Sequence, residues 1–600
     1  MFAFVVVAVA VACCFMQPLS GWFSSSRANA STYCYAGVRT HDSELPAAQC
    51  FSVVDGVFTA VHAEVLPAGG DEEAQSRPET SNGYAIPGLW DGHGHLLQYG
   101  EFLHSVDLFG AQSLQEVRTR IKTYLGANPG AGSSDNWLRG VGWDQTFFGR
   151  MPTAADIAQD PELDGIYIML DRIDVHCSWV SQPVLDLLPS DLPEVIPGGE
   201  IIREPGLGVF CDNAMDLVSS IWPQPGREFK TRAVKTAMRR LNELGLVGMH
   251  DAGATPDTLT LYNELSADKD WSVRVYAMLE CPQRNSYCPD EAVKFTRDDD
   301  RFAVQSVKLF ADGALGSWGS AMLDPYSDHP WTSGSLLINA SALTDVAKRW
   351  AADGYQVNIH AIGDLANRNA VDALEAALVQ ECLNEATAQG ISPSAPDEAN
   401  HQHIFESQDQ TRALAECQSR HRFRIEHAQI IHPSDQHRIH SIGILPSIQP
   451  THATSDMKYA LSRLGQDRLS SSAYRMRSLL PARPILGSDF PVEPPNPFQG
   501  IYAAVTRRSP HTGRGTDDSP EGWYTDEALT LDEAVWGFTG APAYGAFLDG
   551  RAGVIREGAL ADWVVLDQPI ESLDIENLRT VRVRETWVGG KRVYARPEDE

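Results

Sequence analysis

Basic residues are scarce in this chain of 600 residues. Lys and Arg number 48 against 79 Asp and Glu, a formal net charge of -31. That balance would repel a nucleic-acid backbone and excludes nucleic acid as a partner. It favours solubility and says little about chemistry. No two cysteines stand at C-x-x-C spacing, which removes a cysteine zinc knuckle and a thioredoxin-like site. The ten cysteines form an even set compatible with disulfides, and Cys281 with Cys288 is the closest local pair. They do not settle the redox compartment. Beyond the first thirty residues, no stretch is long and apolar enough to read as a membrane span.

The one strongly apolar run lies at the start. Phe2 to Met16 carries no charge, and Gln17, Pro18 and Gly21 break it. It reads as a secretory signal or a signal anchor. Ala28-Asn29-Ala30 offers a small-x-small cleavage site, although the segment before the run lacks a positive charge. The expected location is the secretory pathway, with the protein either secreted or membrane-anchored. Asn29 and Asn339 each open an N-x-Ser sequon, the sign of a glycoprotein in that pathway.

The rest of the chain alternates between strand and helix patterns. Residues 31 to about 84 hold short alternating runs such as Cys50 to Val61, read as small antiparallel strands. From about 97 to 226 the pattern is mixed, with a helix over Leu114–Tyr124 and strands over Leu138–Trp143 and Gly165–Leu170. This span is expected to be a long insertion partly covering an active site. A regular series follows. Strands are expected at Leu246–His250, Val273–Leu279, Val304–Phe310, Gln356–Ala361, Phe423–Glu426, Gly443–Ile448 and Pro484–Gly487. Helices are expected at Arg232–Glu243, Leu343–Ala351 and Asn369–Gln380. With the apolar run ending at Asp91, eight strands arise, which fits a (β/α)₈ TIM barrel over residues 85–544. A doubly wound sheet is the structural rival. The last stretch, 545–600, returns to short strands at Ala561–Leu566 and Val581–Val588. Together with 31–84 it is expected to form a small β-sandwich domain from both ends of the chain.

The polar residues at the expected strand ends converge. The first strand offers His93 and His95, which a two-residue period places on one side. The fourth offers Lys308, the fifth His360, the sixth His427 and the eighth Asp489. Barrel active sites gather at this face. Four imidazoles and a carboxylate suit zinc or a similar borderline metal, as one ion or two. Such an ion lowers the pKa of bound water towards neutrality. Lys308 would carry charge unsuited to that company unless carbon dioxide carbamylated it into an anionic bridge. It otherwise contacts substrate or snorkels beside apolar walls.

These pieces together resemble the amidohydrolase superfamily, in its amidohydrolase-3, YtcJ-like branch. The resemblance rests on Gly88-Leu89-Trp90-Asp91-Gly92-His93-Gly94-His95 and on Val307-Lys308-Leu309-Phe310-Ala311-Asp312-Gly313. It extends through His360-Ala361-Ile362-Gly363-Asp364, Glu426-His427-Ala428-Gln429, Gly487-Ser488-Asp489 with Pro491, and Gly558-Ala559-Leu560-Ala561-Asp562. It implies a metal-dependent hydrolase of carbon–nitrogen bonds in a small amide, formamide or cyclic amide. His93, His95 and Asp489 would hold one ion; His360 and His427 would hold a second, with carbamylated Lys308 between them. Asp489 would be the general base and return its proton to the leaving nitrogen. Gly92 and Gly94 stand where the family often has larger residues, and the expected result is a looser strand end.

The insertion also resembles the family at Gly142-Trp143-Asp144-Gln145 and around His176. His176 is read as a substrate-pocket or oxyanion contact, with a structural histidine as the alternative. Trp143 and Trp318 are candidates for an apolar pocket wall, His250 and Asp251 for residues in or behind the pocket. Asp364 is read as orienting His360 or capping the next helix, and Arg424 with Glu426 as structural ion partners. Hydrolysis of an ester, deamination, and a non-catalytic binding role for a degenerate barrel remain the competing functions. Oligomeric state is open, a homodimer being one option.

Overall fold

The computed structural model describes residues 30–65, 79–388 and 408–597. Eight parallel strands form its centre, in the chain order Leu89–Gly94, Leu246–Ala254, Arg274–Leu279, Phe302–Phe310, Gln356–Ala361, Arg424–His427, Leu445–Ile448 and Ile485–Leu486. Each pairs with the next, as the apolar, Val- and Ile-rich runs require when both faces of a strand are covered. The ring closes where Gly94 bridges Phe490 and the Asp489 amide donates to the His93 carbonyl at 2.7 Å. This is the expected (β/α)₈ barrel. The strands at Gln356–Ala361 and Phe302–Phe310 match their sequence pattern closely. The helix after the fifth strand runs over Asp364–Ala388, longer than its periodic core.

Closure depends on two glycines. A Cβ on Gly92 would lie 2.3 Å from Ile485 Cγ2 and 2.7 Å from the Leu486 carbonyl oxygen; on Gly94 it would lie 2.3 Å from the Phe490 ring. The expectation that these glycines loosen the strand end is therefore corrected. They let the eighth strand approach the first closely enough to complete the ring, and the strand they occupy is buried throughout.

Both chain ends build one companion sheet of eight strands. Trp563–Leu566 pairs antiparallel with Tyr84–Pro87, which lies beside Ser31–Arg39. Phe51, Phe58, Trp563 and Trp587 pack inside it, with Trp563 and Trp587 stacked at 4.6 Å. The insertion forms a third sheet of six strands with its own core around Trp143 and Trp179. Disulfides join Cys34 to Cys50, Cys177 to Cys211, Cys281 to Cys288 and Cys382 to Cys417. The local Cys281–Cys288 pair is the one the spacing anticipated.

The membrane anchor is corrected. Among the described residues, no helix is long and apolar enough to cross a membrane, so membrane anchoring of the barrel has no structural support. The segment Phe2–Met16, on which the signal and anchor expectations rested, lies outside the described residues, as does Asn29. Asn339 is exposed and caps the helix Ala340–Ala352 by accepting from the Ala342 amide.

Overpacking a close backbone seam forces neighbours out of place. Gly94→Ala is expected to lower stability by about 1–3 kcal/mol, read from the urea midpoint. An unchanged midpoint would show that Phe490 yields without cost.

Candidate metal centre and its cavity

His93 and His95 emerge on one side of the first strand, and the helix Leu96–Phe102 begins immediately after. His93 Nδ1 faces Glu426 Oε2 at 2.5 Å, so its Nε2 is left to face Asp489 Oδ1 at 3.4 Å. His95 Nε2 lies 3.2 Å from the same oxygen. Lys308 Nζ lies 3.5 Å from His93 Nε2. The His427 ring stands 4.7 Å from His93 and 4.5 Å from His360. Residues from five of the eight barrel strands, or the turns after them, thus surround one point. Asp489 and His427 hold left-handed backbone conformations, with φ of 61° and 70°. Such conformations are costly for residues with a Cβ and persist where the surroundings impose them.

The donors carry a neutralising second layer. Arg424 Nε meets Glu426 Oε1 at 2.8 Å, and its other nitrogens reach the Gly92 carbonyl and His250 Nδ1. Burial alone would push the Glu426 carboxyl up, but Arg424 and then His93 hold it well below the usual carboxylate range. Burial likewise opposes ionisation of Asp489, yet His93, His95 and His427 around it hold it far down. Burial lowers the Lys308 ammonium against the opposing pull of Glu426 and Asp489. Burial, reinforced by neighbouring positive charge, keeps His360 and His427 neutral, the form in which imidazole binds a metal.

The residues fit a metal ion. His93, His95 and Asp489 present donor atoms within 4.8 Å of one another, and so do His427, His452 and Asp489. His360 Nε2 and His452 Nε2 are buried without a hydrogen-bond partner. Buried polar atoms are seldom left so. Imidazole ligands commonly fix one ring nitrogen on a neighbouring acceptor, as His93 does on Glu426 and His427 Nδ1 does on Gln449 Oε1 at 3.0 Å.

The cluster floors a cavity of about 370 Å³. The insertion supplies one wall. His176 lines it, its Nδ1 paired with Asp212 Oδ1 at 2.8 Å and its ring 5.7 Å from that of His360. The Cys177–Cys211 disulfide adjoins both members of the pair. Val175 and Asp212 have φ of 55° and 51°.

Several residues read as lining the pocket or standing behind it do not line the cavity, and His250 stands behind it on Arg424. His250 is buried against the Pro542 carbonyl at 2.9 Å and Arg424, and Asp251 accepts from the Tyr262 hydroxyl at 2.9 Å. Burial pushes the Asp251 carboxyl up to about 7. Trp143 belongs to the insertion's core and donates to the Leu170 carbonyl; Trp318 packs against the tilted ring of His329 and lies under Arg463. Asp364 accepts from the Leu323 amide and does not meet His360. Asp312 does, 3.5 Å from His360 Nε2, while accepting the amides of Ala321, Ile362 and Gly363. The expected pairing of Arg424 with Glu426 is present. Sequence reasoning passed over His452, Asp212 and Asp312. His452 stands 3.7 Å from Asp489, and its signal was a histidine just past the seventh strand, at Gln449-Pro450-Thr451-His452.

A parallel barrel whose C-terminal mouth gathers imidazoles and a carboxylate around one point has the build of a metal-dependent hydrolase. A model described as the amidohydrolase family matches residues 81–418 and 379–594. The chain belongs to the amidohydrolase family. It is 28% identical over 572 residues to the Protein LONG AFTER FAR-RED 3 of Arabidopsis thaliana, covering 92% of this chain and 90% of that one. It is 24% identical over 581 residues to the N-substituted formamide deformylase of Arthrobacter pascens, covering 94% and 97%. The crystal structure of an uncharacterized metal-dependent hydrolase from Pyrococcus horikoshii matches the fold with a TM-score of 0.67. Its identity is 22%, over 91% of this chain and 99% of that one. Family and donor cluster together make this chain a metal-dependent hydrolase acting on carbon–nitrogen bonds.

Removing one member of a buried ion pair strands the other. Arg424→Met is expected to cost about 3–5 kcal/mol in urea unfolding, and the Arg424→Met/Glu426→Gln double variant markedly less. Equal losses would separate Arg424 from the support of Glu426.

Proposed function

We propose that the cavity hydrolyses a small amide, with N-substituted formamides as the leading substrate class. The class is supported by the activity named for the Arthrobacter relative and by a cavity sized for a small molecule. The observation that carries the reading is the approach of Asp489 to both His93 Nε2 and His95 Nε2 from the opposite side of the ring seam.

In this reading His93, His95 and Asp489 would hold one zinc ion, and His360 and His427 a second. Lys308, buried beside His93, would contribute a further ligand as a carbamate, formed when its neutral amine adds to carbon dioxide and releases a proton. Burial favours the required neutral amine. A bound divalent ion supplies Lewis acidity and a lowered pKa for water.

The chain's own groups then have distinct tasks. Asp489 accepts the proton of the attacking water and passes it to the leaving nitrogen, so one carboxylate serves as base and then acid. His176 meets the substrate carbonyl from the insertion side. Asp212 acts through it, fixing the imidazole's orientation. Products are a carboxylic acid, formate for a formamide, and an amine.

Asp489→Asn is expected to lower kcat by about 10²–10⁴-fold on an N-substituted formamide while leaving the circular-dichroism spectrum unchanged. Normal turnover would remove the base assignment. Replacing His93 and His95 together by Ala is expected to reduce bound zinc per chain, measured by plasma mass spectrometry. Unchanged stoichiometry would exclude these two residues as ligands. Release of an alcohol from esters, with no amine from amides, would favour the esterase alternative.

A further inference from the structure

The acidic residues that line the cavity are not all ion-paired. Glu493 is 8% exposed and lines the same cavity as Asp489 and His452. Ser455 hydrogen-bonds to it, and His452 and His511 are its neighbouring imidazoles. Among the described residues it forms no ion pair with a Lys, Arg or His side chain; nor does its neighbour Asp456, which is met instead by Gln429, Tyr459 and Tyr474, while the other acidic groups around it are paired. Asp144 meets Lys458 at 3.4 Å, Asp174 meets Arg172, Asp212 meets His176, and Glu280 faces Arg284 at 4.0 Å.

Buried carboxylates elsewhere in this fold are met by a cation or by several hydrogen-bond donors, as Asp91 is by the His93 and Ser488 amides and the Ser488 hydroxyl. Glu426 has Arg424, and Asp562 has Arg274 at 2.6 Å. A buried carboxylate without a countercharge is costly, and a ligand that brings the countercharge recovers that cost on binding. Burial also raises the Glu493 carboxyl, consistent with an incomplete environment. Glu493 belongs to neither donor trio of the metal centre. It therefore stands beside the reacting groups rather than among them. Its place is four residues beyond Asp489, ahead of the helix Pro497–Thr506, and its neighbour His452 lies 3.7 Å from Asp489.

We propose that Glu493 is a substrate subsite for a protonated nitrogen, so that the amides this cavity takes carry an ammonium group near the bond that is broken. This rests on the amide-hydrolase reading above, and it assigns Glu493 to specificity rather than to bond cleavage. The ammonium donates to the Glu493 carboxylate, as in other charge-assisted hydrogen bonds, while the amide carbonyl faces His176 and the metal-holding residues.

The test compares two substrates of equal length on the zinc-loaded full chain, N-(4-aminobutyl)formamide and N-pentylformamide. Wild type is expected to prefer the ammonium substrate by about tenfold or more in kcat/KM. Glu493→Gln, nearly isosteric, is expected to bring that ratio close to one. Equal kcat/KM values in wild type, or a preference that survives in Glu493→Gln, would overturn the subsite. A second measurement does not depend on turnover. Calorimetry of 1,4-diaminobutane against 1,4-butanediol is expected to show tighter diamine binding to wild type, lost in Glu493→Gln. Should neither formamide be cleaved, the formamide-hydrolase reading fails alone, and the calorimetric preference still decides the subsite. Equal diamine affinity in both proteins would refute it.

Discussion

The seam between the first and last barrel strands is the constraint on which the rest of the site depends. Asp91 sits in it, buried, accepting the His93 and Ser488 amides at 3.0 and 3.1 Å and the Ser488 hydroxyl at 2.6 Å. Burial pushes its carboxyl up to about 6, and those hydrogen bonds hold it from rising further. One side chain thus ties the His-x-His end of the first strand to the turn that carries Asp489. The two glycines supply the clearance, and Asp91 supplies the bonds. Without this join, the histidines and the carboxylate would belong to opposite edges of an open sheet.

The site also illustrates how a barrel can gather like charges. Lys308 and several imidazoles are buried in a small volume, a combination that would repel itself if all were charged. The fold answers with Glu426 and Asp489 inside and with neutral imidazoles at His360 and His427. Arg424 anchors Glu426 from below, so the arrangement is a graded stack from a structural ion pair to an open cavity. The insertion completes it from above, using a pair from two antiparallel strands cross-linked at Cys177 and Cys211.

Much of this was legible in the sequence, for a physical reason. Buried parallel strands must be apolar along their length, and their last residue is free to be polar, so His360 and His427 stood out at the ends of Val- and Ile-rich runs. His93 and His95 were legible through their two-residue period. His452 was not, because it lies in the first turn of the helix Pro450–Asp456 rather than on a strand. Asp212 was hidden because it becomes relevant only when two strands of the insertion pair, bringing it to His176 across 36 residues. The tryptophans misled: Trp143 is as buried as an active-site wall would be, but it fills the insertion's own core. Gly92 and Gly94 misled in the other direction, since flexibility and close approach call for the same residue.

The companion sheet has a consequence for how the protein is made. Tyr84–Pro87, which leads into the first barrel strand across Gly88, pairs on one side with Trp563–Leu566. A Cβ on Gly88 would lie 2.4 Å from Val247, so this entry to the barrel is itself packed tightly. During synthesis Trp563–Leu566 must emerge before that edge of Tyr84–Pro87 is covered. An unpaired strand edge of this kind is a hazard for aggregation. The lead-in to the first barrel strand therefore depends on a partner about 480 residues further along the chain, a contact of high sequence separation.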